Sequence, residues 1–210
     1  MVYYDIHTHH APVHPEDVAI VNGLDPASSA GTGLLHSVGI HPWYIYNVKE
    51  QLAELKRQAV LPDVVAIGET GLDKGVETPL ELQQEIFKTS VSLAENLGLF
   101  VIIHCVKAWD ELIALKKELK PHVPWIIHGF RGNATLAKQL IRHGFYLSFG
   151  YRFNPEAVHA AWPDYLFVET DDRETGIRTI YQNLSSSLDL PLERFAAQVA
   201  ENVRHILQLP

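Results

Sequence analysis

Cysteine is nearly absent. Cys105 is the one thiol in 210 residues, so no internal disulfide can brace the fold. A chain without bridges suits a reducing cytoplasm, and this length allows roughly 70% of the unfolded surface to be buried, so a hydrophobic core suffices. Long apolar runs are missing as well. His, Gly or Glu interrupts every stretch short of the roughly 18 residues that a membrane span needs. The opening Met1-Val2-Tyr3-Tyr4-Asp5-Ile6 has no basic segment ahead of an apolar core, so it reads as structure and not as a signal peptide. Positive charge is scarce: 17 Lys and Arg stand against 25 Asp and Glu, a net of -8. That balance excludes tight, sequence-general binding to duplex DNA. No repeat, low-complexity tract or linker divides the sequence. Residues 1–210 are expected to form one cytoplasmic domain with no membrane association.

What the chain has in quantity is hydrophobic residues, at 47%, and histidine, at 12 copies, many of them closing apolar runs. Runs rich in Val, Ile, Leu, Tyr or Phe at residues 2–9, 18–22, 34–41, 64–69, 100–105, 125–129, 145–149 and 165–171 read as strands. Most are continuously apolar instead of alternating, as strands covered on both faces must be. Thr78-Pro79-Leu80-Glu81 has the pattern of a capping box with proline at the first helical position, and the helix it opens runs to Leu97, where Gly98 supplies a stop. Asn133 and Asn154-Pro155-Glu156 look like further helix starts, and Phe195, Val199, Val203 and Leu207 recur every four residues along a last amphipathic helix. Alternating strands and helices predict an α/β fold, a compact (β/α)8 TIM barrel at the small end of that fold's size range. The connections at 10–17 and 23–33 are too short, or too rich in Pro, Gly, Ser and Ala, to be helices, so the first two crossovers are expected to be shortened. A doubly wound open sheet is the alternative.

In such a barrel the active site is built at the carboxyl ends of the strands. Those ends read His7-Thr8-His9, Glu69, His104, His128 and Asp171. Residues two apart on a strand share a face, so His7 and His9 can reach one ion while His10 points elsewhere. Buried polar groups left unpaired cost roughly 1–3 kcal/mol each, so four imidazoles and two carboxylates gathered at one end imply a metal centre. Six such ligands exceed one tetrahedral zinc and suit two divalent ions (zinc, manganese or magnesium) sharing a carboxylate, for which Glu69 is the natural bridge. Paired ions lower the pKa of a bound water and neutralise charge in hydrolysis.

Asp5-Ile6-His7-Thr8-His9, Gly39-Ile40-His41-Pro42, Gly68-Glu69-Thr70-Gly71-Leu72-Asp73, Ile102-Ile103-His104, Ile127-His128 and Val168-Glu169-Thr170-Asp171 together resemble, in order and over nearly the whole chain, the signatures of the TatD family. Gln84 and Phe87 resemble that family's glutamine and phenylalanine in the helix after the fourth strand. The resemblance implies a metal-dependent hydrolase acting as a nuclease on DNA ends. It assigns His7, His9, Glu69 and Asp171 to one ion and Glu69, His104 and His128 to the other, with Asp171 also orienting or deprotonating the attacking water. An ordinary helix N-cap is the structural alternative for Asp171. Glu169 would support a ligand or a basic residue, or act as a buried salt-bridge partner. His41 would sit by the substrate phosphate or leaving group, or be a turn residue ahead of Pro42.

The chain departs from the family where substrate would lie. Members usually carry a small residue and an arginine after the strand-five histidine, whereas this chain reads Cys105-Val106-Lys107; beyond His128, Gly129 and Arg131 flank Phe130 in place of the usual cysteine and serine. Cys105, next to a ligand on a strand, is expected to be a packed thiol. Lys107 and Arg131 are candidate substrate-binding residues, within a wider set of Lys74, Arg152 and Arg173 that also follow strand ends and suit an anionic substrate. Trp43, Tyr44, Tyr46 and Trp109 lie just beyond strand ends three and five, placed to stack on a base or sugar or to pack against loops. The reading is a two-metal phosphodiesterase, a 3′-end exonuclease on small or single-stranded substrates such as DNA ends. A hydrolase of a non-nucleic-acid ester, amide or lactone is one alternative, and a non-catalytic protein that binds metal and an anion is another.

Overall fold

The computed structural model describes residues 1–23 and 34–207. β1 (Tyr4–Thr8), β2 (Val18–Asn22), β3 (Leu35–Val38), β4 (Val64–Asp73), β5 (Phe100–Val106), β6 (Trp125–Ile127), β7 (Phe145–Phe149) and β8 (Leu166–Val168) lie in one sheet in chain order. Between and after them come α1 (Val48–Gln58), α2 (Leu80–Leu97), α3 (Trp109–Leu119), α4 (Ala134–Arg142), α5 (Pro155–Ala161), α6 (Ile177–Ser187) and α7 (Leu192–Leu207), with one turn of 3₁₀ helix at Pro42–Tyr44. Strands β1 and β2, β3 and β4, β4 and β5, and β7 and β8 pair in parallel. This is the (β/α)8 order the sequence predicts. Among the described residues no helix is long and apolar enough to cross a membrane. The chain divides into two compact units, Met1–Val21 with Ile127–Pro210, and Asn22–Ile126.

In the first unit, β8 follows β7 residue for residue, and its far end meets β1 through a parallel bridge between Thr8 and Asp171. α7 buries Phe195, Val199 and Val203 of the predicted apolar stripe and leaves its fourth member, Leu207, half-buried. The Tyr181 hydroxyl of α6 donates to the Tyr4 carbonyl at 3.0 Å and accepts the Tyr4 N–H at 3.1 Å, pinning the start of β1. Asn133 and Asn154 cap α4 and α5, accepting the N–H groups of Leu136 and Ala157 as their position before each helix requires. The first crossover contains no helix, as its composition indicated. The second, at 23–33, lies outside the described residues except for Gly23.

In the second unit, β4 is longer than its apolar pattern implied. The strand continues past Glu69 to Asp73 with all but one of its residues buried. The start of α2 also differs from the capping-box reading. Its cap residue is Pro79, with no side-chain cap, and Thr78 contributes its carbonyl, which accepts from Gln83 Nε2 at 2.8 Å. Gln83, fully inside, supplies what the cap would have: its side chain closes on the chain ahead of the helix. At the other end Gly98 takes the left-handed conformation, φ 69°, as predicted. Phe87 of α2 packs edge-on against Trp125, ring centroids 5.1 Å apart, and both rings are fully buried.

Removing a ring of this size from a closed interior costs about 3–5 kcal/mol. Phe87→Ala is therefore expected to lower the urea midpoint by that equivalent at an unchanged m-value. A loss under about 1 kcal/mol would show that the Phe87–Trp125 contact does not anchor α2.

Candidate metal-binding site

Two clusters of predicted ligands form, one in each compact unit. In the first, strand register does the positioning. Asp171 N–H donates to the His7 carbonyl and His9 N–H donates to the Asp171 carbonyl, each at 3.0 Å, so Asp171 is held across Thr8 between the two histidines. Its Oδ1 lies 3.7 Å from Nε2 of His7 and 3.7 Å from Nε2 of His9. Asp171 has a left-handed backbone, φ 58°, which aspartate tolerates better than most residues. It is not the N-cap of α6, which begins six residues later at Ile177 behind Gly176. A one-residue register shift falls between Asp5 and Thr8 on β1, around His7, and such shifts re-aim side chains next to functional sites.

His128 follows β6 directly and brings its ring to 4.6 Å from that of His7, centroid to centroid. One ligand atom each from His7, His128 and Asp171 lie within 4.8 Å of one another. Glu169, 0% exposed, accepts the Gly129 N–H at 2.6 Å and stands 3.7 Å from His128 Nδ1, a position that suits both of its readings. Beneath the cluster, Asp5 accepts from the Thr170 N–H at 3.0 Å and the Thr170 hydroxyl at 2.6 Å, and that hydroxyl is 2.8 Å from the Thr8 hydroxyl. Burial pushes the Asp5 carboxyl up to about 7 against the opposing pull of the Thr170 bonds.

A narrow cleft beside Asp171 is walled by Glu169 and by three of the five predicted cations, Arg131, Arg152 and Arg173. The other two lie in the second unit. Lys74 is engaged by Glu111 at 2.7 Å, and Lys107 is exposed on a left-handed residue, φ 55°.

In the second unit, Glu69 Oε1 is 3.3 Å from His104 Nδ1 and 3.3 Å from His41 Nε2. A one-residue shift between Ile67 and Thr70 places Glu69 where β4 bulges against β5. Two glycines make this geometry. A Cβ on Gly39 would lie 2.5 Å from the Glu69 carbonyl oxygen, and one on Gly71 would lie 1.9 Å from that of His104. His41 Nδ1 accepts the Trp43 N–H at 3.0 Å, so the neutral ring carries its proton on Nε2 and donates toward Glu69.

Asp73, quoted in the motif without a role, is the residue that sequence reasoning missed. Its Oδ2 is 3.1 Å from His104 Nε2 and accepts the Trp43 indole N–H at 2.6 Å, while Oδ1 accepts the Gly75 N–H. Burial raises its pKa, but the bonds from Trp43, Gly75 and His104 outweigh that and hold the carboxyl below its usual range. Gln83 grips its backbone from both sides, accepting the Asp73 N–H at 2.7 Å and donating to its carbonyl at 3.0 Å. It is thus Gln83, and not Gln84, that serves the site. The available signal was the two-residue period of a strand, which puts Asp73 in step with Glu69 once β4 is allowed to run on.

The donor set of each cluster, imidazole with carboxylate in close array around buried His7, Glu69 and His104, fits a divalent transition metal. The TatD related DNase family matches residues 13–208. The chain belongs to that family. A Bacillus subtilis protein named uncharacterized metal-dependent hydrolase YabD is 28% identical over 82% of this chain and 77% of its own length. A Cronobacter turicensis protein named 3′-5′ ssDNA/RNA exonuclease TatD is 34% identical over 55% of this chain and 45% of its own, so the chain spans under half the length of that relative. Among solved structures, the TatD homologue YjjV from Escherichia coli shares the fold with a TM-score of 0.79 over 99% of this chain and 98% of that one, at 21% identity. A dihydroorotase shares it at 0.62 over 100% of this chain and 71% of that one, at 13% identity.

Because backbone atoms occupy the space a Cβ needs, Gly71→Ala should weaken zinc or manganese binding by at least tenfold in isothermal titration and lower the unfolding midpoint. Wild-type affinity in a stable variant would contradict the close-approach argument. Cys105 is buried and its thiol pushed up to about 12 by that burial, so alkylation of native protein near pH 8 should be at least a hundredfold slower than in urea, and Cys105→Ala should keep metal affinity.

Proposed function

We propose that this chain hydrolyses phosphodiester bonds as a two-metal, TatD-type exonuclease acting from the 3′ end of single-stranded DNA in the cytoplasm. The proposed ligands are His7, His9, Glu69, His104, His128 and Asp171, as the family resemblance implies. The observation that carries the reading is the gathering of Arg131, Arg152 and Arg173 beside Asp171. The three arginines line one cleft, Arg173 also standing 3.4 Å from Asp172, and a phosphate offers the charge and the forked acceptor geometry that guanidiniums bind. In a protein of net charge -8, such a concentration of cations draws an anion to one place. The names of relatives such as the Cronobacter turicensis exonuclease support the same chemistry.

When bound, divalent ions supply Lewis acidity and lower the pKa of water. The chain's own residues do the rest. Asp171, fixed by two backbone bonds, orients the attacking water and takes its proton. Arg131, Arg152 and Arg173 hold the phosphate oxygens and offset the charge that builds on them. His41, its Nε2 carrying a proton, stands ready to donate toward the leaving oxygen. Glu169 keeps His128 in place from below, and Asp73 does the same for His104.

Metal-stripped protein reconstituted with Mg²⁺, Mn²⁺ or Zn²⁺ should release nucleotides from end-labelled single-stranded DNA. Asp171→Asn should cut that rate by a hundredfold or more, and Arg131→Met should raise KM several-fold. Folded, metal-loaded protein that releases nothing with any ion would overturn the phosphodiesterase reading and turn attention to esters, amides and lactones.

A further inference from the structure

The chain exposes little large hydrophobic surface, but three aromatic rings stand out on one short segment directly after His41. Trp43 is 55% exposed, Tyr44 63% and Tyr46 66%. Rings left in water on a loose loop would be unremarkable. These are braced. The Trp43 indole N–H donates to Asp73 Oδ2 at 2.6 Å, and its backbone N–H donates to His41 Nδ1 at 3.0 Å. Gln51 of α1 ties down the rest of the turn, accepting the Tyr46 N–H at 2.9 Å and donating to the Tyr44 carbonyl at 2.8 Å.

The braced rings also continue the metal-binding cluster of the same unit. The centroid separation is 4.4 Å from His104 to His41, 5.0 Å from His41 to Trp43 and 6.4 Å from Trp43 to Tyr44. A strip of aromatic surface therefore starts at Glu69 and His104 and runs out to solvent. Its polar anchors hold the Trp43 ring and the backbone that carries Tyr44 and Tyr46 in place before anything binds, so less freedom is lost on contact. The companions of the rings are polar, including Asn47, Lys49, Glu50 and Gln51. Three rings on one turn are far smaller than the roughly 800 Å² per partner of a stable protein interface. They match a row of flat, mobile, heteroaromatic groups.

We propose that Trp43, Tyr44 and Tyr46 form a stacking platform for the unpaired bases of single-stranded nucleic acid, adjoining the scissile phosphodiester. The proposal rests on the single-strand phosphodiesterase reading above and adds to it the residues that would receive the unpaired bases. Duplex bases have both faces covered by neighbours and cannot lie on such a platform, whereas every unpaired base presents a π face whatever its identity. The platform thus selects single strands without selecting sequence.

The test compares a single-stranded oligonucleotide with the same strand carrying abasic units at its three terminal nucleotides. For the wild type, KM should be about tenfold higher on the abasic strand, with kcat changed much less. In the double variant Tyr44→Ala, Tyr46→Ala, whose side chains are mostly in solvent, that ratio should fall to near one. A ratio near one in the wild type, or a tenfold ratio that persists in the variant, overturns the platform. Quenching of tryptophan fluorescence by oligothymidylate in metal-free protein supplies a readout independent of turnover, and Trp43→Phe should abolish most of it. Quenching that depends on Trp43, without hydrolysis under any metal, would keep the platform and remove the phosphodiesterase. Hydrolysis with no difference between base-bearing and abasic strands would do the reverse.

Discussion

Two backbone hydrogen bonds set the chemistry of the first compact unit. Between them, the N–H and C=O of Asp171 fix the end of β8 against β1. Because side chains alternate along a strand, a slip of one residue would bring Thr170 or Asp172 to the place of Asp171 and turn the carboxylate from the histidines. The Asp5, Thr170 and Thr8 bonds secure the same register from below, since each joins β1 to the residue next to Asp171. The left-handed conformation of Asp171 is stable only while those bonds hold it. Fold and function meet at this point: the residue that closes the strand order is also the proposed handler of water.

In the second unit the same end is reached with side chains. Asp73 links three elements, taking the indole of Trp43 from the 3₁₀ turn, standing against His104 of β5 and being gripped through its backbone by Gln83 of α2. A buried carboxylate so fully bonded is rigid, and its negative charge favours the protonated nitrogen of the histidine that faces it. The other ring nitrogen of His104 is then turned toward Glu69 at 3.3 Å. Choosing which nitrogen is available is what an outer carboxylate does for a metal-binding histidine.

Much of this was legible in the residues. Apolar runs placed all eight strands and their order, because strands covered on both faces cannot be mistaken for surface loops, and β2 and β7 match to the residue. Asn133 and Asn154 declared two helix starts by a local bond that needs nothing else in the fold. The site was legible as a set of residues because His7, Glu69, His104, His128 and Asp171 all fall at or just past strand ends. What escaped depends on tertiary contact. Nothing local distinguishes Gln83 from Gln84, and only packing against β4 selects the first. Asp73 was hidden because the apolar run that marks the strand ends at Glu69, and the register shifts around His7 and Glu69 exist only in the pairing of two strands. Of five cations that follow strand ends, spacing along the chain did not reveal that Glu111 occupies Lys74.

Gly39 and Gly71 touch the carbonyls of Glu69 and His104 so closely that no side chain can be grafted there. The ligand scaffold is therefore closed to gradual change: any variant must first move main chain. Lys107, Arg131, Arg152 and Arg173 sit at the opposite extreme, exposed on connections between the elements. Heritable variation in such a molecule is channelled outward, and two lineages can come to act on different esters while their metal-holding residues stay the same. Of the positions where this chain departs from the family pattern, Lys107 and Arg131 lie in that exposed layer, whereas Cys105 is buried.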